Sequence, residues 1–481
     1  MKKFLIATAI SGLMLGSCST NPVTGKKQVV LMSEQQELAM GAEADPQIIA
    51  QYGLYADSSM QRMINAMGQK MAGISHRPNI QYHFRVLDSD VLNAFATPGG
   101  YVYFTRGIIA HFNNEAQFAG VLGHEIGHIT ARHTVSQQTK QTFGQLGIIA
   151  ASIYNPNLGQ LAQQGGQLLF LKFDRAAETQ SDELGVQYSS SIGFDAHEMA
   201  KFFNTLKRQG EKSGQSLPEF LSTHPDPGNR FNTVNRLATE WQAAHPGQGK
   251  TINRNDYLNR INGIVYGEDP KQGFRQNGVF YHPDLRIQFN TPNGWQYQNT
   301  PAQVQFAEPN GQALMIFMGA QAKSLQEAAQ QLAQQAKLQV EQSNQTTVNG
   351  LPAYYLVGTQ VQQDPQTGQA VAGAKVLAYF IQHNNTIYTF VGLSSPQNFN
   401  AYGQVFLNSI QSFKNLTDPA IINIKPERVV IKTAPSDMTL AQALAAYKMP
   451  TSLYEELAIL NGLQQSDKLP KGAMFKILQR Q

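Results

Sequence analysis

The chain has 481 residues, 42% of them hydrophobic, and a single cysteine. That length carries two or three domains, the hydrophobic fraction suits packed cores rather than a disordered chain, and one thiol excludes disulfides within the chain. With 37 Lys and Arg against 33 Asp and Glu, the formal charge is +4 and no basic run stands out, which argues against nucleic acid as a partner.

Met1-Lys2-Lys3 and the apolar run from Phe4 to Ile10 read as the basic and hydrophobic regions of a secretory signal, residues 1–17. Its end, Leu15-Gly16-Ser17-Cys18, resembles the bacterial lipobox. That resemblance implies cleavage before Cys18 and lipid on its sulfur and new amino group. With Ser19 rather than Asp in the next position, it also implies sorting to the outer membrane, facing the periplasm. Losing Lys2 and Lys3 with the signal brings the charge to +2. No later stretch approaches the roughly 18 uninterrupted apolar residues of a spanning helix, so the expectation is a chain anchored to a membrane rather than threaded through one.

Residues 18–45 are expected to be a lipidated tether and a helix beginning near Ser33-Glu34, ahead of a domain over 46–268. Helical spacing continues through Met60–Met71, and Ile80–Leu87 reads as a strand. After the turn at Pro98-Gly99-Gly100, Tyr101-Val102-Tyr103-Phe104 reads as another strand. As an edge strand above a metal, Tyr101, Val102 and Tyr103 would bind peptide by strand addition; a plain core strand is the competing reading.

The central stretch runs from Asn113 to His128. Asn114 and Gln117 read as an N-cap with a capping box, and Phe118, Val121, Leu122, Ile126 and Ile129 recur at helical spacing. A helix there places His124 and His128 one turn apart with Glu125 beside them. In this His-Glu-x-x-His pattern two imidazoles take one zinc ion, and the carboxylate activates the attacking water. Gly120, Gly123 and Gly127 each cost the helix roughly 1 kcal/mol relative to alanine, a penalty expected where another element or a ligand comes close. Metzincins continue the motif with Gly and His where this chain has Ala131 and Thr134, so that class is excluded. His133 is off register and reads as a surface or capping residue.

A third ligand must therefore come from elsewhere. Glu178 and Asp182 lie four residues apart on one helix face, so that Glu178 can ligate while Asp182 receives the outer N–H of a ligating histidine. The alternative is a solvated charge pattern with an Arg175–Glu178 surface pair. The stretch 141–167, rich in Gln and Gly, reads either as a helical hairpin or lid near the cleft or as scaffold packing.

Four blocks together resemble the M48 family of zinc endopeptidases: Asn93–Gly107, His124–His128, Glu178–Asp182 and Ser222–Arg230. The resemblance spans residues from about 30 to 265, with Ser181 where the family has alanine. It implies a mainly α zincin-type domain with a small β-sheet, one Zn2+ per chain on His124, His128 and Glu178, and Glu125 as general base. His224 then either steadies the oxyanion or closes over the metal in a latent state; a loop histidine is the third reading. Arg230 pairs with an acidic neighbour.

From residue 273 to 418 the pattern turns to strands, Phe280–Phe289, Ala313–Gly319, Ala353–Thr359, Lys375–His383 and Thr386–Leu393, with helices over Leu325–Glu341 and Ala401–Ser412. This α+β module is similar to the PsbP-like sandwich and reads as a binding module. Residues 427–481 resemble a small βααβ lysin motif (LysM-like), with Ser436-Asp437-Met438-Thr439 replacing the usual Gly-Asp-Thr entry. The expected function is a zinc-dependent endopeptidase of the bacterial envelope acting on misfolded or unassembled proteins. Expected partners are protein or peptide substrates, the membrane through the lipid anchor, and peptidoglycan or envelope assembly machinery. The alternatives are an envelope chaperone with a latent protease site and a cell-wall-binding scaffold.

Overall fold

The computed structural model describes residues 18–139, 173–213, 219–224, 229–363 and 370–481. The expected signal (1–17), the stretch 141–167 and residues 225–228 lie outside the described residues. The chain forms two compact units, one containing residues 54–267 and 427–480 with the N-terminal segment, the other containing 268–426.

In the first unit, the hairpin β1 (Cys18–Thr20) and β2 (Lys27–Val29) leads into α1 (Glu34–Tyr52) and α2 (Ser58–Ala72). Ser33 and Gln36 form a reciprocal cap at the start of α1, and Asp57 accepts from Ser59 and Met60 N–H to start α2. The expected tether is a docked segment. The Asn21 side chain donates to the Ala131 carbonyl at 3.3 Å, Thr139 Oγ1 accepts from Leu31 N–H at 3.1 Å, and Glu37, 1% exposed, sits between Arg77 (2.7 Å) and Arg132 (2.8 Å).

The small sheet is β3 (His83–Leu87), β4 (Ala94–Thr97) and β5 (Tyr101–Thr105), ordered β3-β5-β4. Next come α3 (Arg106–His111), the zinc-motif helix α4 (Glu115–Thr130), α5 (Arg175–Ser191), α6 (His197–Ser213), α7 (Glu219–Thr223), α8 (Arg230–Ala244) and α9 (Arg254–Ile261). Every residue of α4 from Ala116 to Thr130 is buried. The periodicity that suggested one apolar face thus belongs to a helix enclosed on all sides.

Residues 427–480 contain β17 (Glu427–Thr433), β18 (Met438–Thr439), the helices Leu440–Ala446 and Tyr454–Leu460, β19 (Lys468–Leu469) and β20 (Met474–Arg480). They are not a free-standing module. Val429, Leu440, Leu457 and Phe475 share one core with Phe112, Leu206 and Tyr257 of the peptidase region. The backbone of β17 continues onto it, with Gly263 N–H to Val429 O at 2.8 Å and Val429 N–H to Ile264 O at 3.0 Å. Lys476 is fully buried and donates to the carbonyls of Ala110 (2.8 Å), Phe112 (2.7 Å) and Leu460 (2.9 Å). Burial pushes its pKa well down, yet the three acceptors provide one oxygen for each N–H of an ammonium. The lysin-motif likeness missed this because it concerns residues 427–481 alone, whereas the packing is with residues far upstream in the chain, Gly263 and Ile264 as well as Ala110 and Phe112.

The second unit is built on a seven-stranded antiparallel sheet in the order β12 (Leu338–Val348), β13 (Leu351–Gln363), β14 (Ala370–His383), β15 (Thr386–Ser394), β11 (Ala313–Ala320), β10 (Gln303–Ala307) and β9 (Gln296–Asn299), with a four-stranded sheet in the order β16 (Lys414–Asn415), β8 (Ile287–Asn290), β7 (Val279–His282) and β6 (Phe274–Gln276). One core gathers Phe280, Phe289, Phe317, Phe390 and Phe413; another lies around Leu356, Ala378 and Phe380. Two expectations change here. Phe280–Phe289 is a hairpin, β7 (Val279–His282) and β8 (Ile287–Asn290), because Pro283 lacks an N–H and Arg286 adopts φ 57°. The helix expected over Leu325–Glu341 ends at Gln335, Lys337 turns with φ 51°, and β12 (Leu338–Val348) follows.

Replacing Lys476 by Met leaves three buried carbonyls without their donor, a loss on the order of 3 kcal/mol. Thermal unfolding followed by circular dichroism should show a lower Tm for the whole peptidase unit. An independent C-terminal module would leave that Tm unchanged.

Candidate active site

Two helices bring the donors together. Asn114 caps α4 by accepting from Gln117 N–H at 2.8 Å; the Gln117 side-chain Oε1 accepts from Asn113 N–H rather than from Asn114, so the expected box closes one residue upstream. Asp174 caps α5 by accepting from Ala177 N–H at 2.9 Å. The glycines of α4 face neighbouring protein. A Cβ on Gly123 would stand 3.0 Å from the Gly185 carbonyl oxygen, one on Gly127 3.1 Å from Leu184 Cβ, and one on Gly120 2.5 Å from Met199 Cβ. Gly185 returns the contact, 3.2 Å from His124 N. Small residues on both helices let α5 lie against the zinc-motif helix with Glu178 and Asp182 beside its histidines.

His124, His128, Glu178 and His224 offer donor atoms that all lie within 4.8 Å of one another, and all four are buried. His124 Nε2 is 3.0 Å from His128 Nε2 and 3.5 Å from Glu178 Oε2. His128 Nε2 is 3.5 Å from Glu178 Oε1, while His224 Nδ1 lies 3.3 Å from His124 Nε2 and 3.1 Å from Glu178 Oε1.

The outer nitrogens fix the tautomers. His124 Nδ1 is 2.9 Å from Asp182 Oδ1, and Asp182 also takes two bonds from Arg230, at 2.5 and 2.9 Å. His128 Nδ1 is 3.0 Å from His133 Nδ1, whose ring is held by Gln180 at 2.9 Å and Ser181 at 3.2 Å. With both outer nitrogens engaged, the inner nitrogens face each other as lone pairs, an arrangement that calls for a cation. Ligands at zinc–donor distances of 2.0–2.1 Å on a tetrahedron stand about 3.3 Å apart, in the range of the separations here. The donor set fits zinc.

Burial raises the Glu125 carboxyl above its ordinary range, partly offset by His224 and His124. Neither of its oxygens has a hydrogen-bond partner among the described residues, and Oε1 is 3.7 Å from His224 Nε2. Burial also opposes ionisation of Glu178 and Asp182, but His224 holds Glu178 below its usual range and Arg230 does the same for Asp182. The surface-pair reading of Glu178 fails: the residue is 0% exposed. His224 is 1% exposed and stacks on Phe220 at 4.6 Å, so it is no exposed loop residue. The Arg230 guanidinium also lies 4.0 Å over the Phe203 ring.

Residues 58–238 match the profile of peptidase family M48. They form an M48 metallopeptidase domain. Zinc is the metal of this family, and the buried cluster of His124, His128, Glu178 and His224 could hold it. The chain is similar to the beta-barrel assembly-enhancing protease of Yersinia pestis, 30% identical over 293 residues that cover 55% of this chain and 59% of that one. It is also similar to the mitochondrial metalloendopeptidase OMA1 of Arabidopsis thaliana, 29% identical over 196 residues, 40% of this chain and 39% of that one. The chain thus spans about half the length of such relatives. Among solved structures it aligns with cyanobacterial PsbP from Synechocystis at 12% identity and a TM-score of 0.23, over 30% of this chain and 91% of the other, a likeness too remote to carry an argument.

Two expectations for the M48 domain are corrected. Tyr101, Val102 and Tyr103 lie on the central strand, paired with β3 on one side and β4 on the other, so no edge there is open to a peptide. The edge strand of that sheet that packs against α4 is β4. His133 is 8% exposed and buttresses His128. Its register, five residues past His128, ruled it out as a ligand but said nothing of an outer-nitrogen role.

His133→Ala should weaken zinc binding by about tenfold, as losses of such outer partners do, read by competition with a chelator. Gly123→Val should cost about 1–3 kcal/mol by overpacking and release zinc at lower chelator concentration. Full zinc affinity in that variant would show that the helix contact does not set the donor spacing.

Proposed function

We propose that this chain is a zinc-dependent endopeptidase of the bacterial envelope, anchored through lipidated Cys18, that cleaves misfolded or unassembled envelope proteins. The observation that carries the chemistry is Glu125: a fully buried carboxyl whose two oxygens have no hydrogen-bond partner among the described residues, next to a donor set that fits zinc. An unpartnered buried carboxyl is costly unless a ligand or water completes it. Zinc bound there supplies Lewis acidity toward the scissile carbonyl. Glu125 takes a proton from the attacking water as its oxygen bonds to the carbonyl carbon. It then returns that proton to the nitrogen as the C–N bond breaks, leaving a carboxylic acid and an amine, which become carboxylate and ammonium once the acid's proton passes to the amine. Asp182 holds the His124 ring in the tautomer that leaves Nε2 free, and Arg230 keeps Asp182 ionised.

The substrate class is supported by the names of the similar beta-barrel assembly-enhancing proteases. Among the described residues no helix is long and apolar enough to cross a membrane, which is compatible with anchoring by lipid. Residues 268–426, which contain no His/Cys/Asp/Glu metal cluster among those described, serve in this reading as a docking module.

The position of His224 favours a latent form of the same enzyme. Its Nδ1 stands within 3.3 Å of His124 Nε2 and 3.1 Å of Glu178 Oε1, so the ring fills the space a substrate carbonyl and water need. Activity then requires His224 to withdraw, after which its N–H is free to meet the oxyanion.

Zinc content and casein cleavage on signal-less protein test the assignment. Glu125→Gln should keep about one zinc and lose cleavage by several orders of magnitude, and Glu178→Ala should lose metal. His224→Ala should keep zinc and change casein turnover, upward where release of the latent form dominates and downward where loss of the oxyanion contact does. Wild-type turnover in His224→Ala would remove both roles of that residue, and cleavage by Glu125→Gln would overturn the mechanism.

A further inference from the structure

The N-terminal segment is fastened to the end of the zinc-motif helix within a few residues of Cys18. The Asn21 side chain donates to the carbonyl of Ala131, the C-cap of α4, at 3.3 Å, and its own oxygen accepts from Val23 and Thr24 N–H at 2.9 and 3.1 Å. Arg132 donates to the Met32 carbonyl at 3.2 Å and to Glu37 at 2.8 Å. Arg77 joins Glu37 to the Ile129 carbonyl inside the last turn of α4 at 3.1 Å. Thr139, just beyond, accepts from Leu31. Asn21, Glu37, Arg77 and Arg132 are all buried, at 8%, 1%, 7% and 6% exposure.

These bonds leave little slack between anchor and site. Only Ser19 and Thr20 lie between Cys18 and Asn21, a span of about 10 Å when extended. One helical turn, about 5 Å, separates Ala131 from His128. Together with the Asn21–Ala131 bond, the lipid-bearing residue and the second zinc ligand are held within roughly 25 Å of each other. A flexible tether of the kind common in anchored proteins would leave the domain free to range over a much larger volume.

We propose that this docked N-terminus acts as a ruler, so that the enzyme takes extended polypeptide held close to the surface of the membrane in which it is anchored. Substrates are thereby selected by height above the bilayer, with loose demands on sequence. The proposal rests on the anchored-peptidase reading above.

The test uses the full lipidated chain reconstituted in phosphatidylethanolamine–phosphatidylglycerol vesicles. One unfolded casein segment is attached to the same vesicles either directly or through a rigid helical spacer longer than the domain. The native protein should cut the near segment at least about tenfold faster than the far one, because effective concentration collapses once a short linkage cannot span the gap. Inserting a long flexible Gly-Ser segment between Ser19 and Thr20, which leaves the Asn21 and Glu37 contacts in place, should bring the near-to-far ratio close to unity. Equal rates for the native protein, or a ratio unmoved by the insertion, would overturn the ruler. Two controls separate its failure from that of the reading beneath it. A Cys18 peptide without lipid mass would defeat anchoring, and a signal-less protein that holds zinc but cannot cut free casein even as His224→Ala would defeat the peptidase assignment.

Discussion

The close approach of α4 and α5 is the constraint on which the site depends. Glycine at 123 and 127 on one helix and at 185 on the other removes the side chains that would hold the backbones apart. Only then can Glu178 reach within 3.5 Å of both His124 and His128. The helix-propensity cost of those glycines, roughly 1 kcal/mol each, is a local sacrifice to tertiary geometry. The same approach places Asp182 against the outer nitrogen of His124, so one interface supplies both a ligand and the partner that orients another.

Burial at this interface has an electrostatic consequence. Glu178, Asp182, Glu125 and Arg230 are all nearly inaccessible, and buried charges persist only when paired. Asp182 and Arg230 satisfy each other through two bonds, whereas Glu125 has no such partner among the described residues. The contrast separates a carboxylate that positions from one left open for chemistry.

Much of this was legible in the sequence where it is local. The spacing of His124 and His128 and the four-residue step from Glu178 to Asp182 follow from helical geometry alone, and the glycine pattern already signalled a close neighbour. What could not be read depends on pairs far apart in the chain. His133 looked unused because its register excludes ligation, while its role needs Gln180 and Ser181 brought to it by α5. Tyr101–Tyr103 has the residues of any strand; whether a strand is central or at an edge is decided by partners, here 83–87 and 94–97. The helix drawn through Leu338 followed good helix formers past a residue that turns with positive φ, and tertiary pairing with β13 claimed the rest as strand.

The two ends of the chain also converge on the two ends of one helix. At the start of α4, Lys476 binds the Ala110 and Phe112 carbonyls, and Arg254 joins the Asn113 carbonyl to that of Met474. At its finish, Asn21, Arg77 and Arg132 bind or flank the carbonyls of Ala131 and Ile129. Each fastening joins residues dozens to hundreds of positions apart, so the helix cannot be fully secured until both termini have folded onto it, and such non-local contacts form late. The zinc donors sit between the two fastenings. A helix fixed at both ends presents its histidines at nearly constant spacing, and Glu178 and His224 are brought to them from α5 and from the residue after α7.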